Sequence, residues 1–409
     1  MLLTQAILTN KRVILRTDYN VPIQNGIIQS TKRIDASLET LKYIIDQNPS
    51  KVIIISHLGR PKGNDKSLTL EPIRVYLEEV LKKEIVLSDI FDLDKINKNK
   101  FILLENIRFH KEETKMIETT GLFREKLTNL GDVFINDAFG CCHRGHSSMV
   151  GINTKEKYIG YLIDKEIRYL KNILEKDGVK TLILGGSKIS DKIQLIHNLI
   201  PKVDNILIGG GMAFTFLRYN NIEIGKSLFD EEGIKLIPEI IQYAKKNRTK
   251  IYLPEDYVCN QEFSNEGNIK YCSHEDGIDK DYMGLDIGYK TIDNFQKILE
   301  SSNIIIWNGP VGVFEFTKFE IGSKKIMEYI SKLDATTIIG GGDTASCCEK
   351  FKLEDKMTHL STGGGASLEL LQGNDLPGLS FIEQENNSQK KHGNKKVKLN
   401  YAYDNSDKK

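Results

Sequence analysis

The chain has 409 residues and a formal net charge of +1, with 57 Lys and Arg against 56 Asp and Glu. That length accommodates two domains of ordinary size, each able to bury its own core. The balanced charge excludes a globally basic nucleic-acid binder and an acidic disordered chain, so any anion site must be local.

In chain order, short apolar runs rich in Val, Ile and Leu predict strands at Val13–Arg16, Val52–Ser56, Phe101–Leu104 and Val133–Asn136. A second series comes at Thr181–Leu184, Asn205–Ile208, Lys250–Leu253, Ile304–Trp307 and Thr337–Ile339. Their apolar residues are successive, not alternate, as in parallel strands covered by helices on both faces. Between them, Ser37–Asp46, Leu70–Lys82 and Ser190–Ile200 carry apolar residues at helical spacing. Alternating strands and helices predict an α/β fold, doubly wound and Rossmann-like, formed twice over. The expected division is a first domain over residues 1–163, a connecting helix over 164–175, and a second domain over 176–365. The charged, Leu/Ile-rich stretch Asp164–Glu175 is read as that single helix. Residues 383–409, rich in Asn, Lys and Ser, are expected to be a disordered polar tail.

Ligands of open α/β sheets bind beyond the carboxyl ends of the strands. In the first half those ends carry Asp18 and Asn20, then His57 and Arg60, Arg108, and Asp137 with Arg144 beyond. Together with Arg33 and His146 they form a basic rim suited to a small, highly charged anion, because Arg holds phosphate or carboxylate through a planar fork. In the second half the strand ends carry glycine: Gly185–Gly186, Gly209–Gly211, Gly309–Gly312, Gly340–Gly342 and Gly363–Gly365. Glycine lets backbone amides approach a phosphate or a flat base. No P-loop is present, and Cys142-His143-Arg144-Gly145 lacks the Asp of a kinase catalytic loop. Asp343, after Gly340–Gly342, reads both as a helix N-cap and as a magnesium ligand.

Six cysteines stand at 141, 142, 259, 272, 347 and 348, with no Cys-x-x-Cys pair. Neither a disulfide framework nor zinc spacing is implied, and free thiols in the cytoplasm are expected. The start is interrupted by Lys11 and Arg12, and no apolar run is long enough to span a membrane.

Nine segments, in order, resemble the phosphoglycerate kinase family. They are Arg16–Pro22, Ser56–Pro61, Leu104–Phe109, Asn136–His146, Gly185–Lys188 with Asp191-Lys192, Gly209–Phe216, Trp307–Glu315, Gly340–Thr344 and Ser361–Glu369. The resemblance implies reversible phosphoryl transfer from 1,3-bisphosphoglycerate to Mg-ADP, giving 3-phosphoglycerate and Mg-ATP, in a monomer that binds neither nucleic acid nor membrane. It implies phosphoglycerate binding by Asp18, Asn20, Arg33, His57, Arg60, Arg108 and Arg144. It implies nucleotide contacts from Ser187, Lys188, Lys192, Gly209, Gly210, Gly284, Gly309, Phe314, Glu315, Gly341, Gly342, Asp343 and Thr344, with Asp343 on magnesium. Arg33, Lys188, Gly363 and Gly364 would act on the transferring group, and residues 366–382 would return to the first domain. Tyr289 stands where the family usually has Pro, which is expected to loosen one turn. Cys141 and Cys142 replace small residues, and the tail has no counterpart. The alternative is a catalytically silent nucleotide-binding homologue serving as an interaction protein.

Overall fold

The computed structural model describes residues 1–115 and 121–383. The tail expectation lies outside the described residues. Two six-stranded sheets organise the chain, and every pairing within them is parallel. The first runs, edge to edge, Val86–Ser88, Phe101–Leu104, Lys51–Ile55, Arg12–Arg16, Val133–Asn136 and Glu156–Ile159. The second runs Lys250–Tyr252, Asn205–Ile208, Lys180–Leu184, Ile304–Asn308, Thr336–Gly340 and His359–Leu360. The central strands are buried on successive residues, as in Val13 to Arg16 and throughout Ile304–Asn308. Helices on both faces remove the alternation that one wet face would impose.

The nine predicted strands are all present, with ends shifted by a residue at most. The short edge strands Val86–Ser88, Glu156–Ile159 and His359–Leu360 are additional, as is a three-stranded antiparallel sheet of Asp256–Asn260, Lys270–Ser273 and Met283–Ile287.

The connecting helix departs from its expectation. It starts earlier, at Tyr161, and its α-helical part ends at Leu170; a 3-10 turn over Asn172–Glu175 comes next. The break falls at Lys171, with Leu170 buried before it and Ile173 and Leu174 buried after it. The tighter winding changes which side chains share a face and turns Ile173 and Leu174 into the core. That core is continuous across the junction: Phe139, Cys142 and Met149 of the first half join Leu182, Ile206 and Leu371 of the second. The chain then returns to the first half, where Gly378 N–H donates to Cys142 O (2.9 Å) and Ile382 is buried.

Tyr289 does not loosen its turn. A regular helix, Tyr289–Glu300, begins on it behind Gly288, and the ring is exposed. The first helical position makes no demand that only Pro could meet.

Candidate active site

Because both large sheets are parallel, every strand delivers its following residues to one edge. At the end of Arg12–Arg16, Arg16 is fully buried. Its Nε donates to Ser148 Oγ (2.8 Å), Nη1 bonds Thr17 O, and Nη2 lies 3.4 Å from His57 Nδ1. Ser148 in turn donates to the buried Glu113 carboxylate (2.7 Å). This inner scaffold of Arg16, Ser148 and Glu113 was not anticipated as functional. A charged residue closing an otherwise apolar strand was the available signal.

On it rests the outer group. Arg33 Nη1 lies 3.4 Å from Asp18 Oδ2 and donates to Asn20 O (3.2 Å). Asn20 Oδ1 accepts from Gly59 N–H (2.8 Å), while Arg108 Nη1 donates to Gly59 O (2.6 Å). Arg60, Arg108 and Arg144 line an adjoining cleft of about 770 Å³, with His146 and Lys111. Arg108 Nε is buried without a hydrogen-bond partner among the described residues, as is His146 Nδ1. Burial, then the charges of Arg16, Arg108, His146 and Arg33, hold His57 well below the ordinary imidazole range. Burial and the same kind of arginine neighbours bring His146 to about 4. Both rings are therefore neutral at physiological pH, and the positive charge of the site resides in its guanidinium groups and lysine.

Cys141 and Cys142 do not join one group of candidate ligand atoms among the described residues. Cys142 Sγ faces Asn136 Nδ2 and Ala138 O. Asp18, His57 and Cys141 do offer ligand atoms within 4.8 Å of one another. However, Arg16 Nη2 stands 3.4 Å from His57 and 3.9 Å from Cys141, so a guanidinium already supplies the cation.

In the second half, each of the five glycine runs lies at the end of a strand of the large sheet. At several of these glycines the loops pack too closely for a side chain. A Cβ on Gly210, whose φ is +63°, would lie 2.7 Å from Gly186 N, and one on Gly185 would collide with Pro310 O. The first three of these runs border a cavity of about 380 Å³. Its lining includes Gly186, Ser187, Gly210, Gly284, Val311 and Glu315. The antiparallel sheet closes it with Tyr257 and Met283, a contribution not visible in the glycine pattern.

Several expected contacts sit differently. Gly209 packs against the Val311 side chain, outside the lining. Phe314 is turned into the core beside Trp307 and Cys347, and its neighbours Val313 and Glu315 line the cavity instead. Burying the ring removes apolar area from water, which a rim position would leave wet. Thr344 is fully buried, and its Oγ1 accepts from Gly309 N–H (2.7 Å), so it fastens the helix Gly342–Lys350 to the loop after Ile304–Asn308. Lys192 Nζ donates to Asn308 O (2.8 Å); burial lowers its pKa to about 8. Lys188 is exposed on the loop after Lys180–Leu184. Asp343 is not an N-cap. Gly341 caps the helix Gly342–Lys350, leaving the exposed Asp343 in its first turn beside Gly342.

The two halves meet at Gly363, which packs on the Phe139 ring and gives its N–H to Ser361 Oγ (3.2 Å). Next to it, Gly364 (φ +51°) has open space where a Cβ would be.

The phosphoglycerate kinase family model matches residues 3–374. The chain is 46% identical over 401 residues to phosphoglycerate kinase of Plasmodium falciparum (isolate 3D7), covering 92% of this chain and 96% of that protein. It is 45% identical over 398 residues to that of Schistosoma mansoni, covering 91% and 95%. Among solved structures, phosphoglycerate kinase from Coxiella burnetii superposes with a TM-score of 0.86 at 33% identity, covering 95% of this chain and 99% of that one. The enzyme from Pyrococcus horikoshii OT3 gives 0.76 at 29%, with the same coverage.

Proposed function

The chain belongs to the phosphoglycerate kinase family, and from that premise we propose how its two sites divide the reaction. The activity is reversible phosphoryl transfer between 1,3-bisphosphoglycerate and ADP, giving 3-phosphoglycerate and ATP. The phosphoglycerate occupies the basic group of Asp18, Asn20, Arg33, His57, Arg60, Arg108 and Arg144. The nucleotide occupies the glycine-walled cavity, with its phosphates toward Lys188, Lys192, Gly341, Gly342 and Asp343. The observation that carries this reading is Gly363 packed on Phe139: the last glycine loop of the nucleotide half ends beside the anion group of the other half.

In the direction that consumes ATP, the nucleophile is a carboxylate. It is ionised at neutral pH and requires no general base. The buried, neutral His57 then serves as a hydrogen-bond donor to the anion. The chemical obstacle is crowding of negative oxygens during in-line transfer, and positive groups meeting the phosphoryl midway lower that barrier. Arg33 from one half, with Lys188 and the Gly364 amide from the other, meets this need once the halves close and expel water. The site suits a magnesium ion, because Asp343 offers an exposed carboxylate, a hard oxygen donor, at the start of a helix. Bound there with the nucleotide, magnesium would neutralise phosphate charge.

Six buried free cysteines suit a reducing compartment, and we place the enzyme in the cytoplasm as a monomer. No helix among the described residues is long and apolar enough to cross a membrane. No observation favours the catalytically silent alternative, since every charged residue named for the site is present.

A coupled assay tests the reading: ATP must form from the acyl phosphate and ADP. Arg33→Ala is expected to reduce turnover by on the order of 100-fold with ADP affinity unchanged. Retention of more than about a tenth of the turnover would remove Arg33 from the transfer step.

A further inference from the structure

Two ion pairs join the halves away from the connecting helix. Lys32 Nζ lies 2.9 Å from Glu349 Oε1 and 3.0 Å from Glu354 Oε1. Lys32 opens the short helix Lys32–Asp35, immediately before Arg33. Glu349 lies in the last turn of Gly342–Lys350, the helix that begins beside Asp343, and Glu354 opens the 3-10 turn after it. The short helix is also held from its own half, since Asp35 accepts from Tyr76 Oη (2.6 Å) and Thr31 Oγ1 (2.6 Å). One ammonium thus ties the segment bearing Arg33 to the segment bearing Asp343.

We propose that Lys32 is a positioning residue for phosphoryl transfer: paired with Glu349 and Glu354, it latches the Arg33 helix onto the nucleotide half and favours the arrangement in which the two halves touch. The proposal rests on the role assigned to Arg33 above. Lys32 makes its ion pairs with residues outside both candidate binding sites, so it acts through its neighbour. A single exposed ion pair contributes little. Here one cation serves two carboxylates, and a closure equilibrium near balance responds to small differences in energy. The same exposure makes the latch reversible, as repeated opening for product release requires.

The test compares Lys32→Ala, Lys32→Glu, the triple variant Lys32→Glu/Glu349→Lys/Glu354→Lys, and Arg33→Ala. Turnover is measured with both substrates saturating. Affinities for ADP and for 3-phosphoglycerate are measured separately, and small-angle scattering tracks the contraction on adding both. Lys32→Ala is expected to lower turnover about fivefold and Lys32→Glu at least about tenfold, with single-substrate affinities unchanged. Contraction diminishes in both, and the triple variant recovers turnover and contraction together. Normal turnover and contraction in Lys32→Glu, or no recovery in the triple variant, overturns the latch. Normal turnover in Arg33→Ala overturns the Arg33 assignment instead, and the contraction measurement then decides the latch on its own.

Discussion

Asp137 illustrates how far one carboxyl can be moved by its surroundings. Its Oδ1 accepts from Leu162 N–H (3.0 Å), and Oδ2 is buried without a hydrogen-bond partner among the described residues. Burial raises its pKa to about 7 from the usual 3.8. Between those values the folded chain binds a proton that the unfolded chain has released. The contribution to stability is therefore full below about pH 4 and is lost as the pH rises through 7. Asp137→Asn should flatten that loss. Melting temperatures across pH 4–8 will show a smaller decline in the variant, and parallel curves would mean that the carboxyl is ionised throughout. Such a residue looks ordinary in the sequence, where only its place after a strand marks it.

At the scale of elements, the connecting helix is bound to the second half through a buried pair. Glu166 Oε2 lies 2.8 Å from His359 Nε2, and Oε1 accepts from Thr362 N–H (3.1 Å), directly before Gly363. The His359 ring stacks on Tyr169 of the same helix, with centroids 4.7 Å apart. Glu166→Gln keeps an acceptor for Thr362 N–H but puts a donor opposite His359 Nε2, so the buried ring must take the tautomer whose Nε2 accepts. The expected cost is about 1–3 kcal/mol, read as a lower denaturation midpoint. An unchanged midpoint would show that the carboxylate is dispensable to the junction. The sequence identified a helix here and missed its break at Lys171, because the break is decided by where Ile173 and Leu174 find a core. It also missed the edge strand containing His359, since two residues carry no periodicity.

For the whole molecule, the decisive contacts are between segments far apart in the chain. Gly378 bonds to Cys142, and Ile382 is buried in the core that spans both halves. Truncation after Gln384 should leave turnover and melting temperature essentially unchanged, because residues 385–409 follow the last of the family-like segments. Truncation after Pro377 should lower the melting point, since burying a side chain such as Ile382 is worth about 1.5–3 kcal/mol. A melting loss of several degrees on removing residues 385–409 alone would mean that the tail packs on the body.

The sequence alone determined the parallel α/β class, the positions of nine strands of the two large sheets, and the contrast between a basic rim and glycine-rich loops. Those features are local: successive apolar residues imply burial on both faces, and the residues after a parallel strand arrive at a known edge. Tertiary structure alone decided that Phe314 belongs to the core, that Thr344 fastens Gly309, and that Arg16 is the buried cation beneath the anion group. It also brought Lys32 to Glu349 and Glu354. An aromatic, a hydroxyl or a charge next to a glycine loop can point into the site or away from it. The choice rests on partners distant in the chain, which no local pattern encodes.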